Sequence, residues 1–248
     1  MQAIIMAAGK GTRLGGLTEY KPKAFLEIKG IKLIEYNIAL LHAYGIKDII
    51  IVTGYQNEQF EELARDIEGL QCVYNPFYEM VNVLGSFYMG QEYLSDDVIY
   101  MHADTLCSPD IFKDLIDKKG DIVLPVDFRS CDEEAMKVRT RDGCVTEISK
   151  EIPCDAGEGE FIGIAKISKE VLSDLRTAVK KLMAKKKFRA YFESAIQELI
   201  ELDRYKMEVL PIEKRFWIEI DFEEDYEKAR KEIPSGLITL AEREFGKE

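Results

Sequence analysis

The stretch that decides the fold is residues 2–23, which read QAIIMAAGKGTRLGGLTEYKPK. Residues 2–6 form a short apolar run, which is typical of a strand buried on both faces of a parallel sheet. The residues that follow contain four glycines, one arginine and three lysines, with no helical periodicity. Glycines allow backbone N–H groups to approach an anion closely, and basic side chains neutralise its charge. The stretch therefore predicts a strand followed by a loop that binds a polyphosphate.

Two common phosphate-binding loops do not fit this stretch. The dinucleotide fingerprint needs a third glycine where Leu14 stands and a helix directly after it, and helical periodicity begins only near residue 31. The P-loop needs Ser or Thr after its lysine, and neither Lys10 nor Lys23 has one. The loop is therefore of another type.

Composition narrows the possible partners. The chain has 248 residues, 46% of them hydrophobic, and a formal net charge of −12. Such an acidic chain argues against nucleic acid or an anionic membrane surface as a partner. The five cysteines show no zinc-binding or disulfide pattern, and the N-terminus does not resemble a signal peptide. No apolar run is long enough to insert into a membrane. We expect a cytoplasmic protein.

Hydrophobic periodicity predicts an α/β fold. Strands are predicted at residues 2–6, 48–53, 70–74, 98–102, 121–126, 136–141, 145–149, 161–167, 207–210 and 217–220. Helices are predicted at residues 31–44, 57–65, 82–93, 109–118, 169–186, 191–201 and 222–231. The alternation in the first half predicts a Rossmann-like, mostly parallel sheet flanked by helices, followed by a smaller mixed part. No linker is evident, so we expect one domain, with a nucleotide-binding half at 1–126 and an acceptor-binding half at 127–248.

Two aspartates are candidates for holding a metal ion. Asp104 and Asp221 each follow a predicted strand, and ligands of open α/β sheets bind at the carboxyl ends of strands. Mg²⁺ takes few protein oxygens and keeps positions for water and phosphate. An aspartate after a strand is also a common helix cap, above all Asp221, which precedes a predicted helix. The pair predicts a Mg²⁺ site if the fold brings the two together.

The glycine-rich loop resembles the signature of nucleotidyltransferases that join a nucleoside monophosphate to a phosphorylated small molecule. The matching residues are Gly9, Gly11, Thr12, Arg13, Pro22 and Lys23. One departure is Gly16, where the family often has Pro. The resemblance implies that Arg13 holds the β- and γ-phosphates, that Lys23 stabilises the transition state at the α-phosphate, and that Asp104 and Asp221 bind the catalytic Mg²⁺. It also implies nucleotide contacts from Ala7, Ala8, Gly9, Gly11, Thr12, Arg13 and Asp104.

Later segments are similar to those of bacterial phosphocholine cytidylyltransferases. They are residues 82–88, 134–138, 149–151, 159–164, 191–193 and 217–221. This resemblance implies CTP as donor, with Asn82 and Ser86 near the nucleoside, and Lys150 on the acceptor phosphate. A cationic acceptor would be bound by aromatic faces and carboxylates. The candidates are Glu160, Tyr191, Glu193 and Trp217.

The sequence leaves several alternatives open. The resemblance favours phosphocholine as the acceptor. The alternatives are 2-aminoethylphosphonate, which also presents an ammonium group, and a sugar or polyol phosphate. A different hypothesis is that the chain is a non-catalytic nucleotide-binding subunit. Such a protein would be expected to have lost basic or metal-binding residues, whereas this chain retains Arg13, Lys23, Asp104 and Asp221. Aromatic residues on apolar strands are more often core than ligand cage, which applies to Trp217 and Tyr191. The chain could be a monomer or a homodimer, and residues 234–248 could pack on the body or on a second copy.

Overall fold

The apolar run at the start of the chain becomes an inner strand of a ten-stranded mixed sheet, in a computed structural model that describes residues 1–246. The strands are, in chain order, β1 (Gln2–Ala7), β2 (Glu27–Ile28), β3 (Ile31–Lys32), β4 (Asp48–Thr53), β5 (Leu70–Tyr74), β6 (Val98–His102), β7 (Thr105–Cys107), β8 (Ile122–Asp127), β9 (Lys137–Arg141), β10 (Cys144–Ser149), β11 (Gly159–Phe161), β12 (Ile164–Ile167), β13 (Met207–Pro211) and β14 (Trp217–Glu219). The helices are α1 (Leu33–Ala43), α2 (Asn57–Arg65), α3 (Val83–Gly90), α4 (Pro109–Asp117), α5 (Leu172–Ala184), α6 (Glu193–Glu201), α7 (Glu223–Glu232) and α8 (Ser235–Phe245).

The predicted α/β architecture is confirmed. The large sheet has the order β11-β9-β10-β13-β8-β12-β6-β1-β4-β5, and β1 pairs in parallel with both β4 and β6. Strand β12, from the second half of the sequence, lies antiparallel beside β6 and links it to β8. The two predicted halves therefore share one continuous sheet.

The sheet is covered on both faces, which is why β1 is apolar throughout rather than alternating. Ala3 and Ile5 belong to the core on one face, with helices α1, α2, α4, α7 and α8. Ile4 and Met6 belong to the core on the other face, with helices α3, α5 and α6. Successive side chains of a strand point to opposite faces, so a strand with two cores needs apolar residues at every position.

Several predicted elements are confirmed with shifted ends. The predicted hairpin exists as β9 and β10, and its turn residues Asp142 and Gly143 have φ of 52° and 77°. Helix α1 begins at Leu33 rather than residue 31, because the two preceding residues pair as β3 with β2. The predicted helices at 82–93 and 169–186 are each divided between an α-helix and a short 3₁₀ segment.

The predicted single strand at 161–167 is wrong, because the chain forms two strands there. Gly163 has φ of 78°, a left-handed conformation that breaks the strand between β11 and β12. Its carbonyl accepts a hydrogen bond from the backbone N–H of His102. A Cβ on Gly163 would lie 2.8 Å from Nδ1 of His102, so only glycine allows this approach.

Strands β2, β3 and β7 and helix α8 were not predicted. Strand β7 pairs antiparallel with β14 in a small separate sheet. Helix α8 packs through Leu237 and Ala241 into the same core as α1, and His42 of α1 contacts Glu244 at 2.6 Å. Residues 234–246 of the C-terminal segment therefore pack on the body of the chain, and residues 247–248 lie outside the described part. None of the described helices has the length and apolar character that crossing a membrane requires.

Candidate active site

A cavity of about 530 Å³ opens where β1 and β6 end. Among the predicted nucleotide-binding residues, those that line it are Ala7, Ala8, Gly9, Gly11, Thr12, Arg13, Asn82, Ser86 and Asp104. Among the other predicted site residues, those that line it are Lys23, Lys150, Tyr191, Glu193 and Asp221. The cavity therefore lies at the carboxyl ends of parallel strands, where ligands of open α/β sheets bind.

The glycine-rich loop folds back on itself beneath Lys23. Gly11 has φ of 69°, and a Cβ there would meet Cβ of Lys23 at 3.0 Å. The hydroxyl of Thr18 donates to the carbonyl of Gly11 at 2.9 Å and closes the turn. Position 11 therefore requires glycine for two reasons: the turn needs positive φ, and the side chain of Lys23 packs where a Cβ would be.

Lys23 bonds both candidate metal-binding aspartates. Its Nζ donates to Oδ2 of Asp104 at 2.5 Å and to Oδ1 of Asp221 at 2.7 Å. Burial lowers the pKa of Lys23, but the two carboxylates outweigh it and the pKa is raised. Burial raises the pKa of Asp104, and the neighbouring cations Lys23 and His102 bring it below its ordinary value. The site thus holds the ammonium of Lys23 between two carboxylate groups.

The unpredicted small sheet brings the two aspartates together. Asp104 immediately precedes β7, and Asp221 follows β14 by two residues. Because β7 and β14 are antiparallel, the start of one lies beside the end of the other. The N–H of Ile220 donates to the carbonyl of Asp104 at 3.1 Å, which ties the two segments directly.

Arg13 lies at the mouth of the cavity. Its guanidinium contacts Asp221 at 2.9 Å and Glu134 at 3.3 Å, and it stacks over the ring of Phe222 at 4.9 Å. About half of the side chain is exposed, so the group is accessible to a ligand. Glu134, which was not singled out from the sequence, also contacts Lys150 at 3.6 Å.

Asn82 and Ser86 lie on the opposite wall, at the start of α3. The side chain of Asn82 caps the helix by accepting from the N–H of Val83 at 2.8 Å. The hydroxyl of Ser86 accepts a hydrogen bond from Asn75 at 3.0 Å. Both residues therefore have structural partners as well as a face on the cavity.

The predicted acceptor residues Lys150, Tyr191 and Glu193 cluster at one end of the cavity. Nζ of Lys150 lies 4.9 Å from the centre of the Tyr191 ring. Glu193 is almost fully buried at the start of α6, and its Oε2 has no hydrogen-bond partner. Burial raises the pKa of Glu193, against the attraction of His102. Glu193 lines the cavity, and a carboxylate accepts hydrogen bonds, so this end of the cavity suits a ligand that donates them.

A histidine that the sequence analysis passed over joins this cluster. His102 lies 2.8 Å from the Tyr100 hydroxyl, 3.3 Å from Glu219 and 4.0 Å from Glu193. Burial lowers its pKa, but Glu219, Glu193 and Asp104 outweigh this and raise the pKa to about 9. The spacing could have revealed it, since His102 and Glu219 each stand two residues before a candidate aspartate.

Two predicted acceptor residues lie outside the cavity lining. Glu160 contacts the guanidinium of Arg129 at 2.6 Å. Trp217 donates from its indole N–H to Asp127 at 2.9 Å, and the same Arg129 stacks on its ring at 4.9 Å. Both side chains thus belong to a cluster with Arg129 and Asp127 that lies outside the cavity lining. The structure does not bring them to the other predicted acceptor residues.

The residues present fit a divalent cation. Oxygens of Asp104 and Asp221 already converge on one cationic atom, and hard oxygen donors suit Mg²⁺. His102, Asp104 and Glu219 form a second group of potential ligands. That group depends on an imidazole nitrogen, whereas Mg²⁺ prefers oxygen ligands. The aspartate pair is the better candidate.

Comparison with known proteins identifies the family of this chain and several similar proteins. Residues 3–191 match the family of MobA-like NTP transferase domains. The chain is 30% identical to a CTP:phosphoglutamine cytidylyltransferase of Campylobacter jejuni, over 92% of this chain and 98% of the relative. It is 32% identical to a choline-phosphate cytidylyltransferase of Streptococcus pneumoniae, over 92% and 96%. Among solved structures, a CTP:phosphocholine cytidylyltransferase of Streptococcus pneumoniae matches with a TM-score of 0.77 and 28% identity, over 93% of this chain and 97% of that one.

Proposed function

Since the chain belongs to the family of MobA-like NTP transferase domains, we propose that it transfers CMP from CTP to a small phosphate or phosphonate that carries an ammonium group. Pyrophosphate is the second product. The relatives described above carry names of cytidylyltransferases along nearly the full length of this chain, which supports CTP as the donor. The single observation that carries the chemistry is Lys23 held between Asp104 and Asp221 beside the glycine-rich loop.

In this proposal the basic residues neutralise the triphosphate. Backbone N–H groups of the loop at Gly9 and Gly11 bind phosphate oxygens, and Arg13 leaves Asp221 and Glu134 for the β- and γ-phosphates. Lys23 donates to the α-phosphate, where charge develops as the acceptor oxygen attacks. Phosphoryl transfer of this kind needs positioning and charge neutralisation, and the acceptor oxyanion needs no general base.

Magnesium completes the site in the proposal. Asp104 and Asp221 would hold it, and the ion would supply charge neutralisation at the phosphates. Without the ion, Lys23 lies between the two aspartates and bonds both. Binding of the ion therefore competes with an existing ion pair.

The acceptor end favours a primary ammonium over phosphocholine, which is the acceptor that the sequence resemblance suggests first. Glu193 lines this end of the cavity, and a primary ammonium offers N–H donors to its carboxylate. A trimethylammonium group has no N–H and relies on aromatic faces. Trp217 lies outside the cavity lining, and Lys150 already occupies a face of Tyr191. 2-Aminoethylphosphonate and similar amines therefore fit this end better.

Pyrophosphate release tests the proposal. CTP is incubated with phosphocholine, 2-aminoethylphosphonate, phosphoglutamine or glucose-1-phosphate, with magnesium or with EDTA, and UTP replaces CTP as the donor control. We expect release only with CTP, magnesium and a nitrogen-containing acceptor. Release with glucose-1-phosphate alone contradicts the acceptor class. Tight CTP binding without release for any acceptor favours a non-catalytic nucleotide-binding subunit.

We also propose that residues 1–248 act as one nucleotidyltransferase domain in the cytoplasm, where CTP is available. Support for one domain comes from β12 and β13 of the second half, which pair with β6 and β8 of the first half. Equilibrium unfolding by urea should then show one transition by both tryptophan fluorescence and circular dichroism. Two separated transitions would indicate independent halves.

A further inference from the structure

A second cavity, of about 710 Å³, adjoins the acceptor end of the candidate active site. Lys150, Tyr191 and Glu193 line both cavities. An acceptor with its phosphate toward Lys23 and its other end at Glu193 would therefore face the second cavity. We define the turn at residues 186–189, which forms one wall of that cavity, as the basic turn.

The second cavity is cationic in an otherwise acidic chain. Four cationic side chains line it, namely Lys150, Lys186, Lys187 and Arg189, against the carboxylates of Glu151 and Glu193. Among residues 1–246, the three cations of the basic turn form no ion pair, whereas Lys180 and Lys181 of the preceding helix pair with Glu92 and Glu198. Unpaired cations gathered in one cavity favour an anionic ligand.

The backbone of the basic turn is held in place against the active-site wall. The N–H of Asn82 donates to the carbonyl of Phe188 at 2.8 Å, and the side-chain amide of Asn82 donates to the carbonyl of Arg189 at 3.4 Å. The N–H of Leu84 donates to the carbonyl of Ala190 at 3.3 Å. The cations are therefore carried on a backbone that is fixed relative to the candidate active site.

The conformation at Lys186 is one that glycine normally takes. Lys186 has φ of 60° directly after the end of α5. The N–H groups of Lys186 and Lys187 donate to the carbonyls of Met183 and Leu182, which is the helix-ending pattern that prefers glycine at this position. Lysines at a helix C-terminus also stabilise its dipole, but this does not explain Arg189, which lies beyond the last turn.

We propose that the second cavity binds a carboxylate on the acceptor, so that the acceptor is an amino-acid-like phosphate or phosphonate with both an ammonium and a carboxylate group. Arg189 and the lysines of the basic turn bind the carboxylate, and Glu193 binds the ammonium. A planar carboxylate matches the fork of a guanidinium. This inference rests on the proposed function for the position of the phosphate.

Binding of matched acceptors, measured by calorimetry without turnover, tests the inference. The pairs are 2-aminoethylphosphonate with phosphonoalanine, and 3-aminopropylphosphonate with its α-carboxylated form, which differ only by the carboxylate. We expect the carboxylated member of at least one pair to bind roughly tenfold tighter or more, with the preference reduced at high ionic strength. Equal binding, weaker binding of the carboxylated member, or no binding of either member overturns the proposal.

Variants of the basic turn locate the preference. In Arg189→Ala and in Lys186→Gly, the ratio of the two affinities should fall toward one. Lys186→Gly should unfold at or above the wild-type temperature, because glycine suits the left-handed conformation, so a lost preference there cannot come from misfolding. Lys185→Ala is the matched control, since Lys185 ends the same helix but does not line the cavity, and its ratio should equal that of wild type.

Two further outcomes separate this inference from its alternatives. If the carboxylate preference is absent and Arg189→Ala instead weakens binding of pyrophosphate, the cavity holds a phosphate group and the proposal is overturned. If the carboxylated acceptor binds tightly but CTP yields no pyrophosphate with it, the carboxylate site stands and the proposed cytidylyl transfer fails.

Discussion

Lys23→Met is the substitution that probes the centre of the site most directly. The Nζ atom bonds Asp104 and Asp221 at 2.5 and 2.7 Å, and only 11% of the side chain is exposed. Methionine keeps most of the stem's packing and leaves the two carboxylates without the cation between them. Breaking a buried ion pair costs about 3–5 kcal/mol, and the partial exposure of the aspartates sets the expected loss near 3 kcal/mol. For a chain of this size the Tm should fall by roughly 6–12 °C.

Magnesium should recover much of that stability, because a divalent cation replaces the missing charge between the carboxylates. In wild type the ion has to displace Lys23, so it should raise the Tm by less than in the variant. Thermal unfolding with EDTA and with magnesium, for both proteins, gives the comparison. Lys21→Met is the matched control, because Lys21 follows the same loop and forms no ion pair within residues 1–246.

Catalysis should suffer more than nucleotide binding in Lys23→Met. Loss of one donor at the site of developing charge lowers kcat by about 10²–10³. The CTP Kd should change far less, since the loop and Arg13 remain. The reasoning is refuted if the variant is as stable as wild type in EDTA, or if magnesium stabilises the two proteins equally. Equal losses in kcat and CTP binding would remove Lys23 from the transition state.

Three further outcomes are expected. Glu193→Gln should raise the KM for a primary-amine acceptor about tenfold or more and leave the KM for CTP unchanged, because the substitution removes the charge from a charge-assisted hydrogen bond. Equal increases in the two KM values would contradict this prediction. Trp217→Phe should cost about 1–3 kcal/mol in urea unfolding, since Asp127 loses its indole donor, with the acceptor KM unchanged. The pKa of His102 rises from 6.5 to about 9 on folding, so the protonated ring stabilises the folded state by up to about 3 kcal/mol. This contribution is complete below pH 6.5 and is lost as the pH rises through 9. In His102→Gln that decline in the unfolding free energy between pH 6.5 and 9 should be missing, and an unchanged slope would refute the assignment.

Local patterns were sufficient for the framework of the fold. The uninterrupted apolar run at Gln2–Ala7 predicts a strand with a core on each face, and the structure has both cores. The Asp142-Gly143 turn predicts the hairpin, because a tight hairpin turn needs positive φ at both positions and Asp-Gly is a favoured pair there. The glycine-rich loop and its basic residues predict a phosphate site, since sequence neighbours stay together in space.

Contacts between distant parts of the chain needed the tertiary structure. The pairing of β7 with β14 brings Asp104 beside Asp221. Strand β7 has three residues, too few for a detectable periodicity, and no local pattern in the predicted strand at 217–220 specifies its partner. The same pairing places Trp217 outside the cavity lining, where Asp127 takes its indole N–H.

The sequence by itself therefore determined most of the strands and helices, the phosphate loop and the nucleotidyltransferase family, because each depends on residues that are close along the chain. Only the tertiary structure decided the order of the strands in the sheet, which carboxylates surround Lys23, that Glu193 is buried, and that a cationic cavity adjoins the acceptor end. The burial of a side chain and its ion pairs depend on neighbours from many helices and strands, and no local sequence pattern specifies those neighbours.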